Sequence, residues 1–197
     1  MVSFLSKEKA APEGRLIVRS PKLSRIIPDC SKPSPELMER KTMRKIRRKD
    51  REIEADDAIN LLIKCEYGVL SSTGKDGQPY GVPLSYVYKD NCIYFHSARV
   101  GHKIENIENN PKVSFCAIGN TNVLPSKFGT EYESVVAFGV ASEAEGTERY
   151  NALLWILEKY SPEFIEEGKT YIEQKDKITK VIKIKITHIS GKRAQVK

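Results

Sequence analysis

The chain has 197 residues, of which 40% are hydrophobic and 30% are charged. That length suits one domain of about 150 residues with a smaller segment beside it, and the composition is typical of globular proteins. The sequence has no apolar run long enough for a membrane-spanning helix, and its first residues lack the apolar core of a signal peptide. We therefore expect a cytoplasmic protein that does not insert into membranes.

Basic residues are concentrated at the start of the chain. Residues 1–51 have fifteen Lys and Arg against six Asp and Glu, whereas the rest of the chain has a net charge of −2. Because half of the ten prolines also fall there, we predict an extended basic arm over residues 1–42 and one domain over residues 43–197. The basic cluster between Arg44 and Lys49 could attract nucleic acid, but without interleaved aromatic residues it is more typical of a solvated lead-in.

The cysteines and histidines do not form a recognisable metal or disulfide pattern. Four cysteines occur without a CxxC pair, and three histidines are scattered along the chain. We predict no metal site and no disulfide framework. Three of the cysteines fall inside predicted elements and are expected to be small core side chains, namely Cys65, Cys92 and Cys116.

Hydrophobic periodicity predicts the elements of the domain in chain order. Strands are predicted over residues 67–73, 79–88, 92–98, 112–119, 131–145 and 178–190, the first three as a meander. Helices are predicted over 54–65, 101–110, 146–160 and 161–174, with Asp56 or Asp57 capping the first and Ser161 the last. Residues 120–129 are expected to form an irregular loop. The pattern indicates a mainly β, antiparallel barrel or sandwich with small peripheral helices.

One segment, Tyr94–Lys103, leaves a predicted strand and enters a predicted helix. A helix N-terminus favours an anion through its unpaired N–H groups and its dipole. Polar and basic side chains surround this end of the helix, namely His96, Ser97, Arg99, His102 and Lys103. The segment can therefore hold a phosphate, although its spacing is equally compatible with Ser97 as a simple helix cap.

Four short motifs follow one another in an order typical of one family. They are Arg47–Glu52, Asp76–Leu84, Ile93–Ala98 with Gly101 and Lys103, and His188–Lys192. In these motifs the chain resembles the flavin-binding split-barrel proteins related to pyridoxamine 5′-phosphate oxidase, and within them the nitroimidazole-resistance (Nim) branch. The resemblance covers about residues 43–197.

The resemblance implies a homodimer of six-stranded, Greek-key split β-barrels with FMN at each subunit interface. It places one group along the isoalloxazine ring, namely Val82, Pro83, Leu84, Ser85 and Tyr86. A second group would hold the phosphate and ribityl chain, namely His96, Ser97, Ala98 and Lys103, and His102 joins it at the helix start. A third group would approach the dimer interface and the partner's flavin, namely Ser134, Val135 and Val136.

The function implied by this resemblance is an FMN-dependent oxidoreductase. It would pass electrons derived from NAD(P)H to a small acceptor, for which nitroaromatic compounds are one class, with His96 as the candidate proton donor. The C-terminal Gly191–Lys197 lacks the Arg and His pair with which true pyridoxamine phosphate oxidases hold their substrate, so oxidation of vitamin B6 is not expected. Two alternatives are a flavin or haem binding module without turnover and a nucleic-acid-binding protein led by the basic arm.

Overall fold

The computed structural model describes residues 43–195, so the predicted arm over residues 1–42 lies outside the described part. Eight strands, β1 to β8, lie at Glu52–Ile53, Tyr67–Thr73, Pro79–Ser85, Val87–Lys89, Cys92–Ala98, Lys112–Leu124, Gly129–Glu143 and Thr179–Ala194. Four α-helices, α1 to α4, lie at Ala55–Lys64, His102–Asn109, Gly146–Tyr160 and Ile165–Lys175. No helix in this part of the chain is long and apolar enough to span a membrane.

The strands form one antiparallel sheet in the order β3, β2, β6, β7, β8, β5, β4, with β1 paired to β8 beside this path. The sheet does not close on itself, because β3 and β4 form its two ends. The prediction of a mainly β antiparallel fold is confirmed, but the predicted number of six strands is wrong. The two additional strands are the short β1 and the separate β4.

The predicted strand over residues 79–88 divides at Tyr86 into β3 and β4. The backbone N–H of Tyr86 donates to the hydroxyl of Tyr160 on α3 at 2.9 Å instead of to a neighbouring strand. After this break β4 pairs with β5, while β3 pairs with β2 alone. Both pairings of the predicted three-stranded meander are present, but the break at Tyr86 places them at opposite ends of the sheet, because β5 also pairs with β8.

The predicted loop over residues 120–129 is mostly paired β-structure. β6 and β7 remain paired from Thr121↔Tyr132 to Leu124↔Gly129, after an irregularity that follows Ile118. A 3₁₀ turn at Pro125–Lys127 closes this hairpin, and Phe128 adopts a left-handed conformation with φ of 50°. The polar residues of this stretch hide the strand pattern, because a two-stranded ribbon with no neighbouring sheet does not need an apolar face.

The main core lies between the sheet and the first two helices. Leu70, Phe95, Phe115 and Ile184 have no exposed surface. Burying each such side chain stabilises the fold by about 1.5–3 kcal/mol relative to its exposure. Ile104 of α2 belongs to the same core, which fixes α2 against the sheet just after β5 ends.

A second, smaller core lies under α3. Tyr94, Leu153 and Val181 are buried there, and the Trp155 ring meets the Tyr94 ring edge-on with centroids 5.5 Å apart. The predicted helix over 146–160 is confirmed with the same bounds. The prediction of buried thiols is confirmed for Cys65 and Cys92, whereas Cys116 is half-buried.

The predicted side-chain caps are wrong. No side chain caps α1, and Asp56 and Asp57 lie in its first turn. Ser161 precedes a 3₁₀ turn at Pro162–Phe164, where its carbonyl oxygen accepts a hydrogen bond from the Phe164 N–H at 3.0 Å. The tighter turn begins before α4, so the Ser161 hydroxyl does not reach the orphan N–H groups of that helix.

Candidate functional site

The candidate site is the corner at which β5 ends and α2 begins. β5 ends at Ala98, and after three residues α2 begins at His102 with Gly101 as its N-cap residue. Gly101 has φ of 132° and ψ of 167°, a conformation in which a side chain is strained. A Cβ atom at Gly101 would meet no atom within 4 Å, so the backbone here faces open space that a ligand could fill.

Ser97 is the one side chain of the corner that the fold buries without a partner. It alternates with the exposed His96 and Ala98, and only 7% of its surface is exposed. Its Oγ atom has no hydrogen-bond partner among the described residues. A buried, unpaired hydroxyl costs about 1–3 kcal/mol. Ser97 also does not cap α2, because no side-chain hydrogen bond caps that helix.

The first turn of α2 presents further donors. The N–H of Ile104 donates to the Gly101 carbonyl at 2.8 Å, whereas the N–H groups of His102 and Lys103 have no intrahelical acceptor because they begin the helix. Lys103 is half-buried, and its ammonium group has no carboxylate partner among residues 43–195. The corner therefore combines an orphan hydroxyl, free N–H groups and an unpaired positive charge.

His96 lies close enough to Lys103 to feel its charge. Burial of the imidazole lowers the pKa of His96, and the positive charge of Lys103 lowers it further. The ring retains solvent-exposed surface. Since both effects disfavour the protonated form, the imidazole is neutral near pH 7 and can accept a proton or a hydrogen bond.

The side chain of His102 contacts β3. Its ring lies on the ring of Tyr80 in β3, with centroids 4.0 Å apart and planes tilted by 33°. One helical turn later, the Asn106 side chain donates to the Ser72 hydroxyl of β2 at 3.1 Å. Tyr80, Ser72 and Asn106 were not among the site residues predicted from the sequence. The available signal was a polar residue at position 106 between the buried Ile104 and Ile107.

The predicted ring-binding strand, β3, is an edge of the sheet and pairs only with β2. Val82 and Leu84 are half-buried against the main core. The alternate residues Gly81, Pro83 and Ser85 are exposed and small. A proline is tolerated in an edge strand because no sheet hydrogen bond is lost there. β3 thus offers a flat outer face together with unpaired backbone groups along its free edge.

Tyr86, predicted to lie near the ring, is instead a core residue. It has no exposed surface, and its hydroxyl donates to the Leu62 carbonyl at 2.6 Å. Its ring meets Phe115 edge-on at 4.6 Å, and the Lys159 ammonium lies 4.3 Å from the ring centroid. Burial raises the pKa of Tyr86. Its side chain has no surface left for a ligand of the same subunit.

The third predicted group lies far from the corner within one chain. Ser97 is opposite Lys180 on β8, whereas Ser134 is opposite Lys192, twelve residues further along that strand. At about 3.3 Å per residue this is about 40 Å along the strand. Val135 is buried in the main core, and Val136 is half-buried on the other face of β7. Along β8 the positions opposite Ser97 and Ser134 are therefore well separated.

Arg99 does not join the donors at the start of α2. It is exposed and lines a separate cavity of about 470 Å³ together with Glu143, Gly146 and Arg149. The Arg149 guanidinium in this cavity is already bound to Asp176. Arg99 thus lines a cavity that the sequence analysis did not anticipate, next to the corner.

Part of the basic cluster is neutralised locally. Arg48 pairs with Asp50 at 2.5 Å, and Lys49 pairs with Glu52. These pairs are exposed and bind weakly, but they reduce the positive charge that the described end of the cluster presents to a polyanion.

Residues 54–193 match the protein family described as pyridoxamine 5′-phosphate oxidase. The match includes β3, the β5–α2 corner and β7. The comparison with curated proteins found no match.

Solved structures share the fold. A protein from Bacteroides thetaiotaomicron, described as a candidate 5-nitroimidazole antibiotic resistance protein, is 21% identical with a TM-score of 0.60, over 72% of this chain and 86% of its own. An FAD-binding protein from Mesorhizobium loti is 26% identical with a TM-score of 0.53, over 74% of this chain and 98% of its own. An FAD and haem binding protein from Mycobacterium smegmatis is 12% identical with a TM-score of 0.65, over 74% of each chain.

Proposed function

The chain belongs to the pyridoxamine 5′-phosphate oxidase-like family, and from that premise we propose that it is an FMN-dependent oxidoreductase that acts as a homodimer. Its structural relatives include proteins described as binding flavin. Bound flavin supplies hydride and electron transfer, for which the protein provides binding, orientation and electrostatics. We expect NAD(P)H as the source of electrons and a small molecule as the acceptor.

The observation on which this proposal rests is the unpaired, buried hydroxyl of Ser97 at the start of α2. A phosphate monoester carries nearly two negative charges and needs several charge-assisted donors. Ser97 Oγ, the backbone N–H groups of His102 and Lys103, and the Lys103 ammonium form such a set. The phosphate of FMN would satisfy the hydroxyl that the fold leaves without a partner.

The flat outer face of β3 suits the ring of the same ligand. Gly81 and Pro83 leave room for a planar heterocycle, and the free backbone groups of an edge strand can pair with its pyrimidine edge. Val82 and Leu84 would support this face from behind. His96, with its neutral imidazole beside the corner, is the residue we assign to proton exchange with a bound acceptor.

A second copy of the chain is part of the proposal because one chain keeps Ser134–Val136 far from the corner. In a two-fold dimer each subunit can contribute these residues to the partner's flavin, since an isologous interface exchanges the same surfaces. The hairpin that closes at Phe128, which is 98% exposed, offers additional apolar surface for such an interface.

The electron acceptor is proposed from one of the structural relatives. The Bacteroides relative is described by resistance to 5-nitroimidazole, so we propose nitroaromatic compounds as the first acceptor class to test. Pyridoxamine phosphate is a less suitable substrate because Gly191–Lys197 lacks the substrate-holding Arg and His pair.

A second candidate function is binding of flavin or haem without turnover. It is favoured by the Mycobacterium smegmatis relative, which is described as binding both FAD and haem. Flavin storage or sensing would need only the corner and β3, whereas haem binding would make His96 and His102 the candidate ligands of the iron.

The experiment that separates these functions begins with the purified full chain. Its visible spectrum distinguishes two broad flavin bands from a sharp haem band, and mass spectrometry of the released ligand distinguishes FMN from FAD. The FMN-loaded protein is then mixed with NADPH or NADH and a nitroaromatic acceptor. The oxidoreductase proposal predicts acceptor-dependent oxidation of the nucleotide. FMN binding without oxidation by any acceptor would support the binding module. Failure to bind FMN would overturn the FMN-dependent oxidoreductase, and failure to bind either FMN or FAD would overturn both flavin proposals.

A further inference from the structure

We propose that four residues, Ser72, Tyr80, His102 and Asn106, form a clamp that sets the distance between the β3 face and the β5–α2 corner. We call these four residues the α2 clamp. Its consequence is a preference for phosphorylated flavin over the same ring without phosphate. The inference rests on the proposed function, because it assigns positioning residues to the site proposed for FMN.

The geometry of the clamp joins one helix face to one cross-strand pair. His102 and Asn106 are four residues apart on α2 and therefore lie on the same face of the helix. Ser72 and Tyr80 are directly opposite one another in the β2–β3 pairing. His102 contacts Tyr80 through their rings, and Asn106 contacts Ser72 through a hydrogen bond.

The two contacts differ in burial and therefore in role. Asn106 and Ser72 are each only 4% exposed, so loss of either partner would leave a buried polar group unpaired. This bond fixes the register of α2 against β2. Tyr80 is half-buried and His102 is exposed, so their contact can change without disturbing the core.

The clamp adds to the packing of Ile104, which holds α2 on the core but does not contact β3 through the start of the helix. Between Ala98 and His102 the chain passes through three residues, of which Arg99 is exposed and Val100 is 80% exposed. β3 is an edge strand and is fixed by β2 on one side only. The Tyr80–His102 contact joins β3 and the start of α2 directly.

A ligand that spans both parts benefits most from this connection. Holding two binding regions at a fixed separation reduces the ordering cost that a bridging ligand must overcome. FMN would touch both β3 and the corner. Because Tyr80 and α2 lie on the opposite side of β3 from Gly81 and Pro83, FMN would reach the corner around the free edge of this strand. Riboflavin would lack the corner contact of the phosphate, and inorganic phosphate would use the corner alone. Breaking the clamp should therefore weaken FMN binding selectively.

His102 acts in this scheme through its ring contact with Tyr80 and not through a ring contact with the ligand. Its backbone N–H remains at the start of α2 whatever side chain it carries. A phenylalanine at position 102 can preserve the ring contact, whereas an alanine cannot. The two variants thus separate positioning from a chemical role of the imidazole.

The test measures the dissociation constants of FMN and riboflavin by flavin fluorescence. The dissociation constant of inorganic phosphate is measured by its competition with FMN. An aromatic pair contributes about 0.5–1.5 kcal/mol, so His102→Ala should reduce the FMN-to-riboflavin preference about two- to tenfold. Riboflavin and phosphate affinities should change less than about twofold, and His102→Phe should retain the preference of the wild type. The control is His188→Ala, which removes another histidine ring whose centroid lies 6.2 Å from that of Phe138. This variant should keep the FMN-to-riboflavin preference of the wild type.

Each outcome decides the inference. In a double-mutant cycle, Tyr80→Ala combined with His102→Ala should lose little more preference than either single variant, because both remove one contact. Equal losses of FMN and riboflavin affinity in His102→Ala would show a general structural role and would overturn the clamp. An unchanged FMN-to-riboflavin preference in His102→Ala would also overturn it. The third contradicting result is a His102→Phe variant whose preference is as low as that of His102→Ala. If the wild type binds no FMN, the proposed function itself fails, and this outcome is distinct from the others.

Discussion

Tyr86 and Ser97 are two buried polar residues that the family resemblance assigns to the same cofactor, yet the fold treats them in opposite ways. The Tyr86 hydroxyl donates to the Leu62 carbonyl, and its backbone N–H donates to Tyr160. The Ser97 hydroxyl has no partner in the described part of the chain. A satisfied buried group stabilises the architecture, whereas an unsatisfied one is available to bind a ligand or an ordered water.

The surroundings of the two residues extend this contrast. Lys159 beside Tyr86 donates to the carbonyls of Cys65 and Tyr86 at 2.7 and 3.1 Å, so its charge is used within the fold. Lys103 beside Ser97 has no carboxylate partner among residues 43–195. Substitutions near Tyr86 should therefore change stability, and substitutions near Ser97 should change ligand binding.

The largest effect should follow replacement of Tyr86. Tyr86→Ala removes a fully buried ring and should lower the free energy of unfolding by about 3–5 kcal/mol. Tyr86→Phe keeps the ring but leaves the Leu62 carbonyl unpaired, which should cost about 1–3 kcal/mol. Urea denaturation measures both values. A Tyr86→Phe variant that is as stable as the wild type but binds FMN poorly would reverse the roles given to the two regions.

Ser97→Ala should separate stability from binding. The apo protein should be as stable as the wild type or more stable, because the variant removes an unpaired buried hydroxyl. Its FMN affinity should fall by the contribution of one hydrogen bond to a charged group, about 1.5–3 kcal/mol. Urea denaturation without flavin and FMN titration measure the two quantities. A loss of apo stability with unchanged FMN affinity would place Ser97 among the structural residues.

Gly101→Ala tests the backbone of the corner. Because φ of Gly101 is 132°, a side chain there should cost about 1–3 kcal/mol of backbone strain and should also reduce FMN affinity. Gly146→Ala is the matched control, since Gly146 also has a positive φ, of 54°, and a Cβ atom there would likewise meet nothing within 4 Å. The control should lose stability without losing FMN affinity. Equal FMN affinities in the two variants would argue against ligand contact at Gly101.

The smallest effect concerns another satisfied group, Glu148. Lys183 donates to it at 2.8 Å and Tyr94 at 2.9 Å, and these contacts lower the pKa of Glu148. A carboxyl pKa that is lower in the folded protein than in the unfolded chain stabilises the fold at pH values above the ordinary glutamate pKa. This stabilisation is lost as the pH falls through the pKa of the folded protein. Glu148→Gln should therefore be less stable by under about 1 kcal/mol at pH 7, since the pair is partly exposed.

The difference between Glu148→Gln and the wild type should close as the pH falls below about 4.3. Thermal or urea unfolding between pH 7 and pH 3 measures this closing gap. A gap that stays constant over that range would mean that the carboxylate charge is not the stabilising feature.

Local patterns predicted much of the fold. The strands Tyr67–Thr73 and Cys92–Ala98 and the helix Gly146–Tyr160 have the predicted bounds, because their periodicity and flanking turn residues lie within the same short window. The sheet order was not predictable in this way. Pairing of β5 with β8, and not with β3, depends on residues some ninety positions apart.

The site was predicted in the same uneven manner. The β5–α2 corner follows from a strand, a glycine and a helix start within Tyr94–Lys103, which are close together in sequence. The burial of the Tyr86 side chain was not predictable from the sequence, because its partners, Leu62 and Tyr160, are 24 and 74 residues away. The clamp was missed for the same reason, since Ser72 and Asn106 meet only through the tertiary fold.

The most direct measurement compares FMN and riboflavin affinities in the wild type, Lys103→Glu and Lys103→Met. If the corner at Ser97 binds the flavin phosphate, Lys103→Glu should weaken FMN binding at least about tenfold, Lys103→Met should weaken it less, and riboflavin binding should change little. FMN affinity that is the same in all three proteins would contradict a phosphate site at this corner.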